Sequence, residues 1–176
     1  MYFLRWMLLI GIFILSSCGF HPRGSLPTSR VMHNLYLQTA APYSALTHYL
    51  KDYLQASHVH LADSITPGIT ILQIISENNT QQLLSVSTTQ QTRQYNLILT
   101  VIYQLNDANG KPLIPAQTAT ETRVVTIQSD QILGGSNEAN SLYQQMRQAI
   151  VFDIMNRLSS KDITQILSTV KAPHKR

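Results

Sequence analysis

Charged side chains are scarce in this sequence, since only 12% of its 176 residues are Asp, Glu, Lys or Arg, about half the share in an average globular protein. Asparagine, glutamine, serine and threonine take their place, as in the run from Ser87 to Thr92. A neutral polar surface suits a protein that sits inside a partner or against amphiphiles, although periplasmic proteins in general also have one. The 13 basic residues exceed the 9 acidic ones, but they form no basic run interleaved with aromatics, which argues against nucleic-acid binding.

Groups that carry catalysis are also few. The nine carboxylates never fall as a pair at helix or strand spacing, no glycine-rich phosphate loop is present, and a hydrolase of envelope polymers would need groups that are missing. His48 and Asp52 either orient a base or form a surface pair, and the lack of a nucleophile motif beside them favours the surface pair. His58 and His60 could clasp a metal, but without a third ligand they are predicted to be exposed histidines. The sequence predicts a binding or assembly role, with no catalytic residue, metal or cofactor, and not an enzyme.

Cysteine occurs once, at Cys18, directly after an apolar N-terminal segment. Arg5 gives that segment its positive start, and Trp6 to Leu15 form an uncharged run of signal-peptide length, too short to span a bilayer. The Leu-Ser-Ser before the cysteine completes the pattern of a bacterial lipobox. Cys18 either follows a secretory signal by chance or is a lipid anchor, and the absence of a second cysteine favours the anchor.

Cleavage after Ser17 is predicted to make Cys18 the first residue of the mature protein, carrying S-diacylglycerol and N-palmitoyl groups. Several acyl chains hold a protein stably on a membrane, whereas one binds only marginally. Gly19, rather than an aspartate, favours sorting to the outer membrane. The predicted divisions are a signal peptide over 1–17, a lipid-anchored tether over 18–33, a single domain over 34–170 and a basic disordered tail over 171–176.

Alternating and β-branched segments predict the strands of the domain. A short strand over 34–38 and a β-branched strand over 69–75 come first. Residues 83–92 continue as a polar strand or as one arm of a long hairpin. The strongest alternation spans 95–105, and after a turn cluster at 106–112 a further strand over 116–128 places five residues on one side: Thr118, Thr120, Thr122, Val124 and Thr126.

Apolar residues at three- and four-residue steps predict two main helices. The first follows Pro42 and ends near Ser57. The second follows a glycine break at Gly134-Gly135, with Ser136 as its capping residue. A last short amphipathic stretch over 163–170 precedes the tail. Because the turns between the later strands are too short for crossovers, we predict an α+β fold with two helices packed on one face of a mainly antiparallel sheet of about four strands.

The segment Cys18-Gly19-Phe20-His21-Pro22-Arg23-Gly24 resembles the mature N-terminus of the lipopolysaccharide-assembly lipoproteins, the LptE family. Members of that family begin with cysteine, glycine, an aromatic residue, histidine, one variable residue and arginine. Two internal blocks are similar to the same family, 94–101 to its central strand and 137–158 to its second helix. The order of predicted elements also matches, so the resemblance covers nearly the whole mature chain.

This resemblance implies an outer-membrane lipoprotein on the periplasmic side that plugs the lumen of the β-barrel LptD one to one, helps that barrel assemble, and binds lipopolysaccharide. The polar residues 81–91 would then face the barrel wall. Lipid A is phosphorylated, so a basic residue beside an apolar or hydroxyl-lined strand could hold a phosphate, and the candidates are Arg93, Arg123 and Arg147. The alternative hypothesis is a free-standing periplasmic lipoprotein that binds or carries an amphiphile in its own apolar pocket.

Overall fold

The computed structural model describes residues 33–89, 91–128 and 132–171. The predicted signal peptide, the anchor at Cys18 and all of the predicted tether except His33 lie outside these ranges. The elements follow one another in this order: β1 (Asn34–Thr39), α1 (Ala45–Ala56), β2 (His60–Leu61), β3 (Thr70–Val86), β4 (Thr92–Asn106), β5 (Pro112–Gln128), α2 (Ile132–Leu158) and α3 (Lys161–Lys171).

The five strands form one mixed sheet with the order β2-β1-β3-β4-β5. Strand β1 pairs in parallel with both β2 and β3, so the prediction of about four mainly antiparallel strands was wrong in number and partly in direction. The reason lies in α1, because a helix between two strands carries the chain back across the sheet and lets the second strand run parallel to the first. The two-residue strand β2 is too short to give a sequence signal.

Strands β3, β4 and β5 form two long antiparallel hairpins, as predicted for this part of the chain. Between β4 and β5, one carboxylate oxygen of Asp107 accepts the backbone N–H groups of Asn109 and Lys111. Gly110 follows with a φ of 80°, in the left-handed region that favours glycine. Residues 83–86 belong to β3 itself, which confirms the hairpin-arm alternative for the first part of 83–92.

Ser44 caps the start of the first helix, because its hydroxyl accepts the backbone N–H of Thr47 at 3.2 Å. Helix α2 starts at Ile132, so the predicted break at Gly134-Gly135 was wrong. Glycine lowers helix stability by about 1 kcal/mol per residue but is sterically able to adopt helical angles. The number of helices was also wrong, because the stretch after Leu158 forms a third helix.

The three helices contribute to one core on a single face of the sheet, which we call the helix face. The β4 residues that point to this face are fully or almost fully buried, and they pack with residues of α1, α2 and α3. They are Leu97, Leu99, Val101, Tyr103 and Leu105. The prediction of helices packed on one face of a sheet is confirmed. The opposite face, which we call the open face, carries the alternate residues of each strand.

Candidate functional site

The open face is formed by the side chains of β3, β4 and β5 that alternate with the core residues. Direct pairing across the two hairpins places Asn78, Thr100 and Thr120 in one row, and Thr80, Ile98 and Thr122 in the next. The hydroxyl oxygens of Thr100 and Thr120 are 3.4 Å apart. The five alternate β5 residues from Thr118 to Thr126 therefore share one face, as the sequence predicted.

All charged side chains of these three strands lie on the helix face. The four residues are Glu77, Arg93, Glu121 and Arg123, and each pairs in register with a helix-face residue of its neighbouring strand. The open side of β3, β4 and β5 is consequently a layer of hydroxyl, amide and aliphatic groups without a formal charge. This segregation is the main feature of the site.

Hydrogen bonds order the amide groups at one end of the open face. The Gln73 side-chain oxygen accepts from Gln104 at 2.7 Å and from Asn106 at 2.9 Å. Asn106 is buried, and its own amide oxygen has no hydrogen-bond partner among the described residues. These hydrogen bonds hold each amide side chain in one orientation, whereas an unbonded glutamine would move among several rotamers.

The far end of the β3–β4 hairpin exposes apolar side chains, and we call Leu83, Leu84 and Val86 the apolar tip. A register shift between Leu83 and Ser85 leaves Leu84 as an extra residue in β3. Arg93 is exposed and pairs directly with Val86. The ion pairs among the described residues involve other arginines and not Arg93. The tip therefore joins an apolar surface to one available cation.

Arg147 is held by an ion pair between α2 and β3. Its Nε lies 2.6 Å from a carboxylate oxygen of Glu77, and the two side chains are only 17% and 18% exposed. One turn earlier on α2, the Tyr143 hydroxyl donates to the carbonyl oxygen of Thr80 at 2.9 Å. Burial raises the pKa of Tyr143, and the nearby Arg147 acts in the opposite direction. These polar contacts attach α2 to β3 in addition to the packing of the apolar core.

The three arginines that the sequence nominated do not converge on one point. Arg93 lies on β4, Arg123 pairs with Leu97, and Arg147 binds Glu77 beside Val101. The three β4 positions involved, Arg93, Leu97 and Val101, follow one another at intervals of four residues, and each interval is about 13 Å at the rise of a strand. Arg123 contacts Glu121 at 3.1 Å, so of the three only Arg93 is without an acidic partner in the described part of the chain.

Sequence reasoning missed two parts of this site. It did not associate Glu77 with Arg147, since the two are 70 positions apart and no local pattern links them. It also missed the apolar tip, for which a signal existed. Two consecutive leucines, Leu83 and Leu84, break the period of two and indicate a bulge or an exposed side chain.

A cluster of metal ligands and a membrane-spanning helix are both absent from residues 33–89, 91–128 and 132–171. No three or more His, Cys, Asp or Glu side chains there are placed to hold a metal ion. None of the helices in those ranges is both long and apolar enough to cross a bilayer.

Solved structures of bacterial lipoproteins share this fold, and two of them illustrate the likeness. Rare lipoprotein B from Shewanella oneidensis has a TM-score of 0.66 and 20% identity, over 75% of this chain and 98% of its own. Lipoprotein B from Nitrosomonas europaea, solved by NMR in solution, has a TM-score of 0.64 and 21% identity, over 88% of this chain and 94% of its own. The fold is thus one found in bacterial lipoproteins.

Sequence comparison gives the family. The family model described as LptE, lipopolysaccharide-assembly, matches residues 32–158. The LPS-assembly lipoprotein LptE of Pectobacterium atrosepticum is 24% identical over 93% of this chain and 91% of its own, and that of Yersinia enterocolitica is 28% identical over 86% and 74%. The chain belongs to the LptE family of lipopolysaccharide-assembly lipoproteins, as the sequence resemblance predicted.

Proposed function

We propose that this protein is an outer-membrane lipoprotein that plugs the LptD β-barrel one to one, helps it assemble, and assists the insertion of lipopolysaccharide at the cell surface. Cys18 is the proposed anchor, carrying S-diacylglycerol and N-palmitoyl groups on the periplasmic side. The observation that carries the proposal is the uncharged open face, since membership of the family gives the process but not the contact surface.

The open face has the chemistry that a barrel lumen requires. The interior of an outer-membrane barrel is polar, so a plug must offer groups that can exchange hydrogen bonds with water for hydrogen bonds with the wall. Placing a charge in such a contact without a partner costs several kcal/mol, whereas a neutral group costs far less and is compensated by one good hydrogen bond. Rows such as Asn78, Thr100 and Thr120 meet this requirement.

The apolar tip is the proposed contact for lipopolysaccharide. An amphiphile with phosphates and acyl chains needs a cation next to apolar surface, and Arg93 beside Val86 and the exposed Leu83 and Leu84 supplies both. Arg123 and Arg147 are weaker candidates, because each would first have to leave its own carboxylate.

The alternative, a free-standing carrier with an internal pocket, needs an apolar cavity between the helices and the sheet. That space holds a contiguous cluster of buried side chains, including Leu50, Leu99, Met146 and Ile154. Their close packing favours the plug over the carrier.

The first test is affinity purification of the tagged full-length protein from outer membranes in detergent, with mass spectrometry of its partners and of its N-terminus. We expect the LptD barrel in equimolar amount and an acylated Cys18 as the first residue. Recovery without a barrel would overturn the plug, and an intact Met1 would overturn the anchor.

The second test adds a charge to the open face without changing its shape. Asn78→Asp places a carboxylate on an exposed open-face residue, and we expect at least a tenfold loss of recovered barrel, equivalent to about 1.4 kcal/mol. The matched control is Gln148→Glu on an exposed position of α2, which should keep barrel recovery. Equal recovery with both variants would show that the open face is not the contact.

The third test addresses lipopolysaccharide. Arg93→Gln should weaken binding of purified lipopolysaccharide to the full-length protein about five- to tenfold, because a charge-assisted contact to phosphate is lost, and Arg93→Lys should restore most of it. Arg157→Gln serves as the control, since Arg157 contacts Asp153 and the Thr118 carbonyl at the opposite end of β5. Unchanged affinity for Arg93→Gln would remove the tip from the proposal.

A further inference from the structure

The end of the open face that carries Gln73, Gln104 and Asn106, which we call the amide end, holds an apolar side chain that is buried outside the core. Ile71 pairs directly with Asn106 and lies two residues before Gln73, so its side chain points to the open face. Ile71 is 3% exposed and Asn106 is 4% exposed. Ile71 is not part of the cluster of buried side chains on the helix face, so its cover lies on the open side.

No helix or strand within the described ranges supplies this cover. The three helices contribute to the core on the helix face, and the five strands all belong to the sheet itself. The connection from β2 to β3 lies at the same end of the sheet, but its residues from Asp63 to Gly68 are all exposed, unlike a segment packed on an apolar side chain. The turn after Asn106 is closed on the Asp107 carboxylate.

The chain that precedes β1 enters the sheet at the amide end. Strand β1 begins at Asn34 and runs parallel to β3, with Leu35 beside Thr70, so β1 starts at the end of the sheet where Ile71 lies. Only β3 separates β1 from β4, and two strand spacings are about 10 Å. The nine residues 24–32 directly before the described ranges can extend to about 30 Å. This length allows a reversal of direction and a crossing of all three strands.

The composition of this segment matches the surface at the amide end. Its apolar residues are Leu26, Val31 and Met32, and its hydroxyl residues are Ser25, Thr28 and Ser29. An apolar side chain can pack on Ile71. A hydroxyl or backbone N–H can donate to the amide oxygen of Asn106, which has no hydrogen-bond partner among the described residues. An unsatisfied buried acceptor costs about 1–3 kcal/mol, so a donor at this position stabilises the arrangement.

We propose that residues 24–32 fold back over the amide end of the open face, cover Ile71, and donate a hydrogen bond to the amide oxygen of Asn106. The open-face rows from Asn78 to the apolar tip stay free for the proposed barrel contact. The docking itself does not depend on the proposed function.

Docking shortens the free part of the tether, a consequence that rests on the proposed anchor at Cys18. Fifteen residues, 18–32, separate an undocked domain from the lipid and span at most about 50 Å, whereas the six residues 18–23 span at most about 20 Å. The docked segment therefore holds the amide end of the sheet close to the membrane leaflet.

Thiol reactivity of the full-length protein in detergent tests the cover. Ile71→Cys should react with a maleimide at least tenfold more slowly than Thr122→Cys, which is exposed on the same face. Replacing residues 24–32 by an equally long glycine-serine sequence should raise the rate at Ile71→Cys at least tenfold and leave Thr122→Cys unchanged. If Ile71→Cys does not fold, Tyr36→Cys gives the same readout, since Tyr36 pairs with Ile71. The unsubstituted protein reports any reaction of Cys18, so the result is independent of acylation.

Disulfide formation within one chain tests the identity of the covering segment. When a cysteine is placed in turn at each position from 25 to 31 together with Ile71→Cys, at least one pair should oxidise, because a disulfide needs Cα atoms about 4.4–6.8 Å apart. The same positions should form no disulfide with Thr122→Cys. Thr122 pairs with Ile98, eight residues and about 26 Å along β4 from Asn106, the partner of Ile71.

Three results would overturn the proposal. A rate at Ile71→Cys that the glycine-serine replacement does not change would assign the cover to the connection 63–68. A rise of the same size at Thr122→Cys would mean that the replacement loosens the whole domain. Failure of every position from 25 to 31 to form a disulfide with Ile71→Cys would show that the segment lies elsewhere.

Discussion

The ion pair between Arg147 and Glu77 allows a quantitative prediction for the attachment of α2 to the sheet. Replacing Arg147 with methionine keeps a long apolar side chain but leaves the Glu77 carboxylate without its partner beneath the helix. Breaking a fully buried pair costs about 3–5 kcal/mol, and an exposed pair contributes about 0.2–1 kcal/mol. With both side chains about one-sixth exposed, water screens the pair partly, so we expect Arg147→Met to lower the free energy of unfolding by about 2 kcal/mol.

Urea unfolding of the full-length protein in detergent, followed by circular dichroism, measures this change. With a urea dependence of about 2 kcal/mol per molar, the midpoint should fall by about 1 M. The control is a second ion pair on the same helix, Asp153 with Arg157, where both groups are more than 40% exposed. Asp153→Asn should cost only about 0.3–0.5 kcal/mol.

A double variant separates the pair from the loss of packing. Glu77→Gln combined with Arg147→Met removes both charges, so it should be more stable than Arg147→Met alone, with a coupling energy of about 1 kcal/mol or more. If Arg147→Met is no more destabilising than Asp153→Asn, or if the two substitutions are additive, the ion pair does not stabilise the helix as described.

Three further predictions concern the core, the first helix and alkaline pH. Leu99→Ala should lower the free energy of unfolding by about 2–5 kcal/mol, because Leu99 is fully buried. Ile98→Ala on the open face should lower it clearly less, and the urea midpoints of the two variants measure the difference. Ser44→Ala should cost about 0.5–2 kcal/mol through the lost helix cap, measured as a lower melting temperature. Burial raises the pKa of Tyr103 and of Tyr143, so the contribution of the neutral phenols to stability is complete below pH 10 and is lost as the pH rises above it. Tyr143→Phe should therefore reduce the loss of unfolding free energy with rising pH. An unchanged dependence of the unfolding free energy on pH would contradict this.

Local sequence signals predicted the part of the fold that depends on neighbouring residues. The alternation in β4 and the row of threonines in β5 were visible because a strand has a period of two, and the turn at Asp107 was visible from its residue types. The parallel pairing of β1 with β3 was not visible in the sequence, because it joins segments separated by a helix. No side-chain pattern encodes which strand lies beside which. Glycines 134 and 135 misled for a similar reason, since intrinsic propensity is outweighed by the packing of a long helix.

The site was predictable to a smaller extent. The chemistry of a phosphorylated amphiphile, which needs a cation beside an apolar or hydroxyl-lined strand, singled out Arg93, Arg123 and Arg147 as candidates. Which arginine has a carboxylate beside it depends on tertiary contacts such as the one between α2 and Glu77. The segregation of charge was present in the sequence, since Glu121 and Arg123 are both odd-numbered in a strand whose even positions are uncharged. Recognising it required the register of the neighbouring strands.

The absence of formal charge on the open face has a consequence for how salt would affect the proposed contact. Attraction between ionised groups is largely screened beyond a Debye length of about 8–10 Å at physiological ionic strength, whereas contacts among hydroxyl, amide and aliphatic groups do not depend on that screening. If the open face contacts a barrel wall as proposed, barrel recovery should be the same in dilute and in concentrated sodium chloride.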